Sequence, residues 1–118
     1  MARFMYLYRG RPSVLTPAQA ATRTEAFAAW TEKVGSSLID AGSPFGPGHT
    51  IGPHGRQDSA DELIGYSVVE APDLAAAKAL TEGLPLLSDS TEPNAVEIFE
   101  LLSMDSKYLR RDLGTLGA

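Results

Sequence analysis

The sequence predicts an α+β domain with the element order β-α-β-β-α-β, in which four strands form one antiparallel sheet and two helices cover one of its faces. Three observations carry this expectation. Residues 4–8, 63–71 and 96–102 are short runs dense in aromatic, branched and other apolar side chains, bounded by turn residues. Behind the first run, apolar residues recur at helical spacing after a capping sequence. A second capped helical run opens at Pro72-Asp73 and separates the last two strands.

Phe4, Met5, Tyr6, Leu7 and Tyr8 make the first strand, closed by Gly10 and Pro12. Thr16 is placed to cap a helix, Pro17 to occupy its first position and Gln19 to complete a capping box. Phe27, Trp30, Val34 and Leu38 then share one helical face. Gly35 sits inside that run at a cost of about 1 kcal/mol relative to alanine, and Gly42 and Pro44 supply the stop. Residues 43–62 are punctuated by glycine and proline, with His49-Thr50-Ile51 as a short strand among them. Leu63, Ile64, Tyr66, Val68 and Val69 dominate the next strand. In the second helix Leu74, Ala77, Leu80 and Leu84 lie along one side, with Gly83 near its end. Residues 85–95 read as a polar loop and residues 96–102 as the last strand. The expected domain covers residues 1–104. A tail, residues 105–118, follows, where Tyr108, Leu109 and Leu113 join Met104 on one side of a short helix.

The chain has 118 residues, enough for one domain. Its formal net charge of −5 disfavours a broad nucleic-acid or anionic-membrane surface, since both need concentrated positive charge. The single basic doublet, Arg110-Arg111, is followed directly by Asp112. There is no cysteine, which excludes disulfides, thiolate zinc sites, iron–sulfur clusters and cysteine nucleophiles, and leans towards a cytoplasmic setting. The apolar stretch between Arg3 and Arg9 is too short for a signal-peptide core. No stretch approaches the ~20 apolar residues of a membrane span.

The strands do not alternate cleanly. Phe4, Tyr6 and Tyr8 point one way while Met5 and Leu7 point the other. Ile64, Tyr66 and Val68 oppose Leu63 and Val69, and Val96, Ile98 and Leu102 oppose Phe99 and Leu101. Two helices cover one face only, so the other would expose a large apolar patch. A homodimer with its sheets face to face removes that exposure. The alternative is that the tail folds back over the open face.

The run Ala29-Trp30 … Gly35-Ser36-Ser37-Leu38-Ile39-Asp40-Ala41-Gly42-Ser43-Pro44-Phe45-Gly46-Pro47 resembles the YCII-related family, a branch of the dimeric α+β barrel superfamily. Leu63-Ile64-Gly65-Tyr66-Ser67-Val68-Val69-Glu70-Ala71-Pro72-Asp73-Leu74 and Val96-Glu97-Ile98 extend the resemblance over roughly residues 3–104. It implies a ferredoxin-like βαββαβ protomer and a face-to-face dimer, and it says little about activity. Some relatives use a histidine–aspartate pair in a cleft beside the sheet. Here the first helix has no histidine, and Gly52-Pro53-His54-Gly55 stands near the place of another branch's Asp-Gly-Pro-Phe motif. The family's pair is therefore not present intact.

Asp40 is the leading carboxylate. Near the end of the expected first helix the macrodipole disfavours its charge, so a turn contact or a ligand role should hold it there. It also matches the family's aspartate in the Leu-x-Asp-x-Gly stretch. His49 and His54 are the only histidines. His49 is a candidate acid–base partner for Asp40, and His54 reads as an exposed loop residue. No third ligand completes a metal site. Glu97 and Glu100 occupy opposite faces of the last strand, as cleft residues or as rim charges, with Glu97 at the family position. Tyr6 and Tyr66 read as sheet packing whose hydroxyls can line a pocket, and Arg9 as an anion contact or an exposed edge charge.

Two functions follow. The first is a small cofactor-independent enzyme of lyase or isomerase type, in which Asp40, His49 or Glu97 moves a proton while Tyr6 or Tyr66 positions a small carbonyl or aromatic compound. The second is a non-catalytic, dimeric ligand-binding or regulatory module. A purely structural dimerisation domain ranks behind both.

Overall fold

The computed structural model describes residues 1–11, 15–53, 55–58, 63–88 and 94–103. The expected tail, 105–118, and His54 lie outside these.

The elements run β1 (Ala2–Arg9), α1 (Pro17–Val34), a 3-10 turn (Gly35–Ser37), β2 (Leu38–Pro44), β3 (His49–Gly52), β4 (Gly55–Asp58), β5 (Leu63–Ala71), α2 (Leu74–Ala79), α3 (Pro85–Ser88) and β6 (Ala95–Leu101). Four strands form an antiparallel sheet in the order β2-β5-β1-β6, consistent with a ferredoxin-like pattern, while β3 and β4 pair with each other in a separate hairpin. Among the described residues no helix is long and apolar enough to cross a membrane.

Helix α1 starts where its capping sequence places it. Thr16 Oγ1 accepts from Gln19 N at 3.1 Å and Gln19 Oε1 accepts from Thr16 N at 3.0 Å, with Pro17 in the first turn. Its end differs from the expectation. The helix stops at Val34 because Gly35 adopts φ 61°, and Leu38–Pro44 is a strand rather than the helix's last turns. Leu38 meets the core either way, since it packs on the buried cluster from β2. That coincidence extends the helical period beyond the helix. Asp40 therefore lies on a strand, and the macrodipole reason for singling it out falls away.

The expected strand at His49-Thr50-Ile51 forms, but outside the main sheet, whose fourth place goes to β2. Helix α2 is short, capped by Asp73 Oδ1 accepting from Ala76 N at 2.8 Å. Within the segment expected as a polar loop, Pro85–Ser88 forms one helical turn.

One cluster makes the core. Phe4 and Tyr6 of β1 and Val69 and Ala71 of β5 join Trp30 and Val34 of α1, Ala77 of α2, and Leu84. The Trp30 ring stands 6.2 Å from Tyr6 and 5.5 Å from Phe27, and its Nε1 donates to Leu80 O at 2.9 Å. The buried Tyr6 hydroxyl donates to Ala77 O. On the alternate positions of the sheet, Met5 lies opposite Val68 and Phe99, Leu7 opposite Tyr66 and Glu97, and Arg3 opposite Glu70 and Leu101. This row is apolar at its centre and charged at its ends, where Arg3 and Glu70 pair at 3.7 Å.

Candidate functional site

The site begins with a break in strand pairing. Asp40 lies opposite Val68 and Ser43 opposite Tyr66, so β2 carries an extra residue and bulges at Ala41-Gly42. Gly42 makes the bulge possible. Its φ is +79°, and a Cβ there would stand 1.6 Å from Tyr66 O.

Side chains hold the bulge from both sides. Asp40 Oδ1 accepts from Gly42 N at 2.8 Å, and Oδ2 accepts from the Tyr66 hydroxyl at 3.1 Å. Behind it, Tyr8 Oη donates to Ser67 Oγ at 2.7 Å and Ser67 Oγ donates to Ala41 O at 2.7 Å. Ser67 is fully buried, and these two bonds satisfy it. The Phe45 ring stacks on Tyr66 at 5.9 Å.

Against the bulge lies a cleft of about 460 Å³. Ala41 to Pro44, Gly65 and Tyr66 line it from the sheet, Ala20, Arg23, Thr24 and Phe27 from α1, and Leu84 to Leu86 from the chain around α3. Gly65 stands opposite Tyr8 across the β1–β5 pair, and without a Cβ it lets Ser43 O and the Tyr8 ring pack closely at the floor of the cleft. The inward face of α1 carries Phe27, Trp30 and Val34 in its second half. In its first half the same spacing brings Ala20, Arg23 and Thr24 to the cleft. An apolar concavity with a few polar groups is the usual form of a small-molecule site.

The tyrosines differ in environment. Burial pushes Tyr6 up to about 12, and Tyr8 adds to the effect. Burial also raises Tyr8, partly offset by its bond to Ser67. Tyr66 is raised because Asp40 accepts its hydroxyl and its carboxylate charge repels a phenolate. All three are donors near neutral pH.

Of Asp40, His49, Tyr6, Arg9, Tyr66 and Glu97, only Tyr66 borders the cleft. Tyr66 is in register with Leu7, so its side chain and that of Asp40, opposite Val68, share the sheet face turned away from Tyr6 and Tyr8. Tyr6 uses its hydroxyl inside the core. Arg9 Nε and Glu97 Oε1 meet at 2.8 Å as an ion pair, without the alignment of a hydrogen bond. His49 is exposed on the β3–β4 hairpin, and the bonds described for Asp40 run to Gly42 and Tyr66. Glu100, exposed on β6, is outside the cleft as well. Among the described residues no group of three His, Asp or Glu side chains clusters as metal ligands.

Sequence reasoning missed Arg23, Gly42 and Ser67. A serine amid the apolar residues of β5 was a signal for Ser67, because a buried hydroxyl needs a partner. Arg23 carried no such signal. No protein-family model matches this chain, and no curated protein is similar to it in sequence.

Proposed function

We propose that this chain is a YCII-related protein of the dimeric α+β barrel type, and that its function is to bind a small organic molecule in the cleft between α1 and the β2 bulge. The observation that carries this is the cleft itself. It holds about 460 Å³, is lined mostly by apolar groups, and is bordered by a bulge fixed through Asp40, Tyr8 and Ser67. Rigid backbone beside an open apolar space favours binding, because little order must be imposed when the ligand enters.

The YCII-like protomer places both helices on one sheet face and pairs its other face with a second copy. The half-buried Met5 and Leu7 and the exposed Leu101 on that face support the pairing. A cysteine-free chain fits a cytoplasmic setting.

The experiment is a fragment screen by amide NMR on the full chain. Ligands of this site shift the Gly42, Ser43, Gly65 and Phe27 amides together. A library of aromatic and carbonyl compounds that leaves all four unmoved at millimolar concentration refutes the assignment.

A second reading, a cofactor-independent lyase or isomerase, is favoured by the exposed Tyr66–Asp40 contact on the other side of the bulge. Tyr66 would turn its single O–H from Asp40 to a substrate carbonyl, and His49 would enter only if a bound ligand reaches it. For a turned-over ligand, Tyr66→Phe then lowers kcat about 100-fold or more while leaving binding intact. Unchanged turnover in that variant leaves ligand binding as the function.

A further inference from the structure

Arg23 occupies an unusual place. It lies four residues before Phe27 on α1 and, like Phe27, lines the cleft. It remains exposed although it lines the cleft, as a long side chain with an apolar stem and a charged head can. Among the described residues no carboxylate pairs with it; Arg3 and Arg9, by contrast, each have a glutamate partner. No Asp or Glu lines the cleft among the described residues, although the chain carries 15 acidic residues against 10 basic ones. The one formal charge at this concavity is thus positive, within a protein of net charge −5.

We infer that the cleft selects a small organic carboxylate with an aromatic body, whose anionic head pairs with Arg23 and whose ring lies between Phe27 and Tyr8. This rests on the cleft being the ligand site. A guanidinium offers two parallel N–H donors to a carboxylate, a geometry that a neutral amide cannot match with equal strength. The Phe27 and Tyr8 rings supply flat apolar surface for an aromatic ring. A cationic ligand would meet like charge at the mouth with no compensating carboxylate inside. The hydroxyls of Tyr8 and Thr24 already donate, to Ser67 Oγ and to Ala20 O, which leaves the guanidinium as the principal donor for an anionic head.

The test uses phenylacetate, its neutral isostere phenylacetamide, and the cation phenethylammonium, each titrated into the full-length protein by calorimetry and amide NMR. Phenylacetate binds at least about tenfold more tightly than phenylacetamide, phenethylammonium binds most weakly, and shifts map to Phe27 and Gly65. Arg23→Gln reduces phenylacetate to the level of the amide, and Arg23→Lys retains part of the preference. Arg23 is exposed, so both variants fold, which circular dichroism and unchanged thermal unfolding verify. Equal binding of acid and amide, or a phenylacetate affinity unmoved by Arg23→Gln, overturns the charge selection and leaves the cleft as a binding site. If no probe of any charge shifts the cleft amides, the cleft assignment fails and the selection fails with it.

Discussion

Tyr66 donates its hydroxyl to Asp40 Oδ2 at 3.1 Å while Asp40 Oδ1 accepts from Gly42 N at 2.8 Å, so one carboxylate ties a central strand to the bulge of its edge neighbour. The contact joins Tyr66, a residue bordering the cleft, to the carboxylate that the sequence singled out.

Removing that carboxylate should release the tyrosine. In Asp40→Asn, Tyr66 titrates closer to the ordinary 10.0 than in the parent, because the two largest of the three causes of its rise, the hydrogen bond and the charge, originate in Asp40 and only burial does not. Ring-carbon NMR of labelled tyrosine reads this directly. A Tyr66 titration that stays where it was assigns the rise to something other than Asp40.

Alkali should unfold the protein through its tyrosines. Tyr6, Tyr8 and Tyr66 all titrate higher when folded than the ordinary phenol value of 10.0. Their contribution to stability is therefore complete below about pH 10 and is lost as pH rises through the folded values, the highest being Tyr6 at about 12. Denaturant midpoints should fall across this window, and less steeply in Tyr6→Phe. That variant also starts about 1–3 kcal/mol less stable, because Ala77 O loses its buried donor.

Two glycines with positive φ separate strain from collision. Gly35 has φ +61° and open space around its missing Cβ, whereas Gly42 has φ +79° and a backbone oxygen 1.6 Å from that position. Gly35→Ala should cost about 1–3 kcal/mol from strain alone. Gly42→Ala adds a clash with the β5 backbone and should cost more than about 4 kcal/mol or prevent folding. Urea denaturation ranks them, and equal losses would mean that the bulge relaxes freely.

Trp30 is the chain's single tryptophan, 2% exposed, so its fluorescence reports on the core. Trp30→Ala should cost about 3–5 kcal/mol through lost packing. Trp30→Phe keeps most of the ring but strands Leu80 O, a loss of about 1–3 kcal/mol. A Trp30→Phe variant as stable as the parent would show that the indole N–H contributes nothing net.

The pairing of two copies is tested at the centre of the open row. Met5 lies opposite Val68 and Phe99, so Met5→Glu places a charge where a second sheet would rest. Sedimentation should show a dimer for the parent and a folded monomer for the variant. A parent that sediments as a monomer at every concentration removes the face-to-face dimer.

Much of this architecture was legible in the residues. The strand over residues 63–71 follows from composition, and the starts of α1 and α2 follow from Thr16 and Asp73, because strand composition and capping act within a few residues of chain. Asp40 does bond to the following turn, at Gly42 N, but the helix-end argument that singled it out does not hold, because Asp40 lies on a strand. What only the folded chain decided was non-local. Leu38 satisfies the core from a strand as well as it would from a helix, so apolar spacing alone could not show that α1 stops at Val34. The cleft forms where α1 brings Ala20, Arg23 and Thr24 over the β2 bulge and Gly65. Such a space belongs to no single segment, and it exists only once strands and helix distant in sequence are packed together.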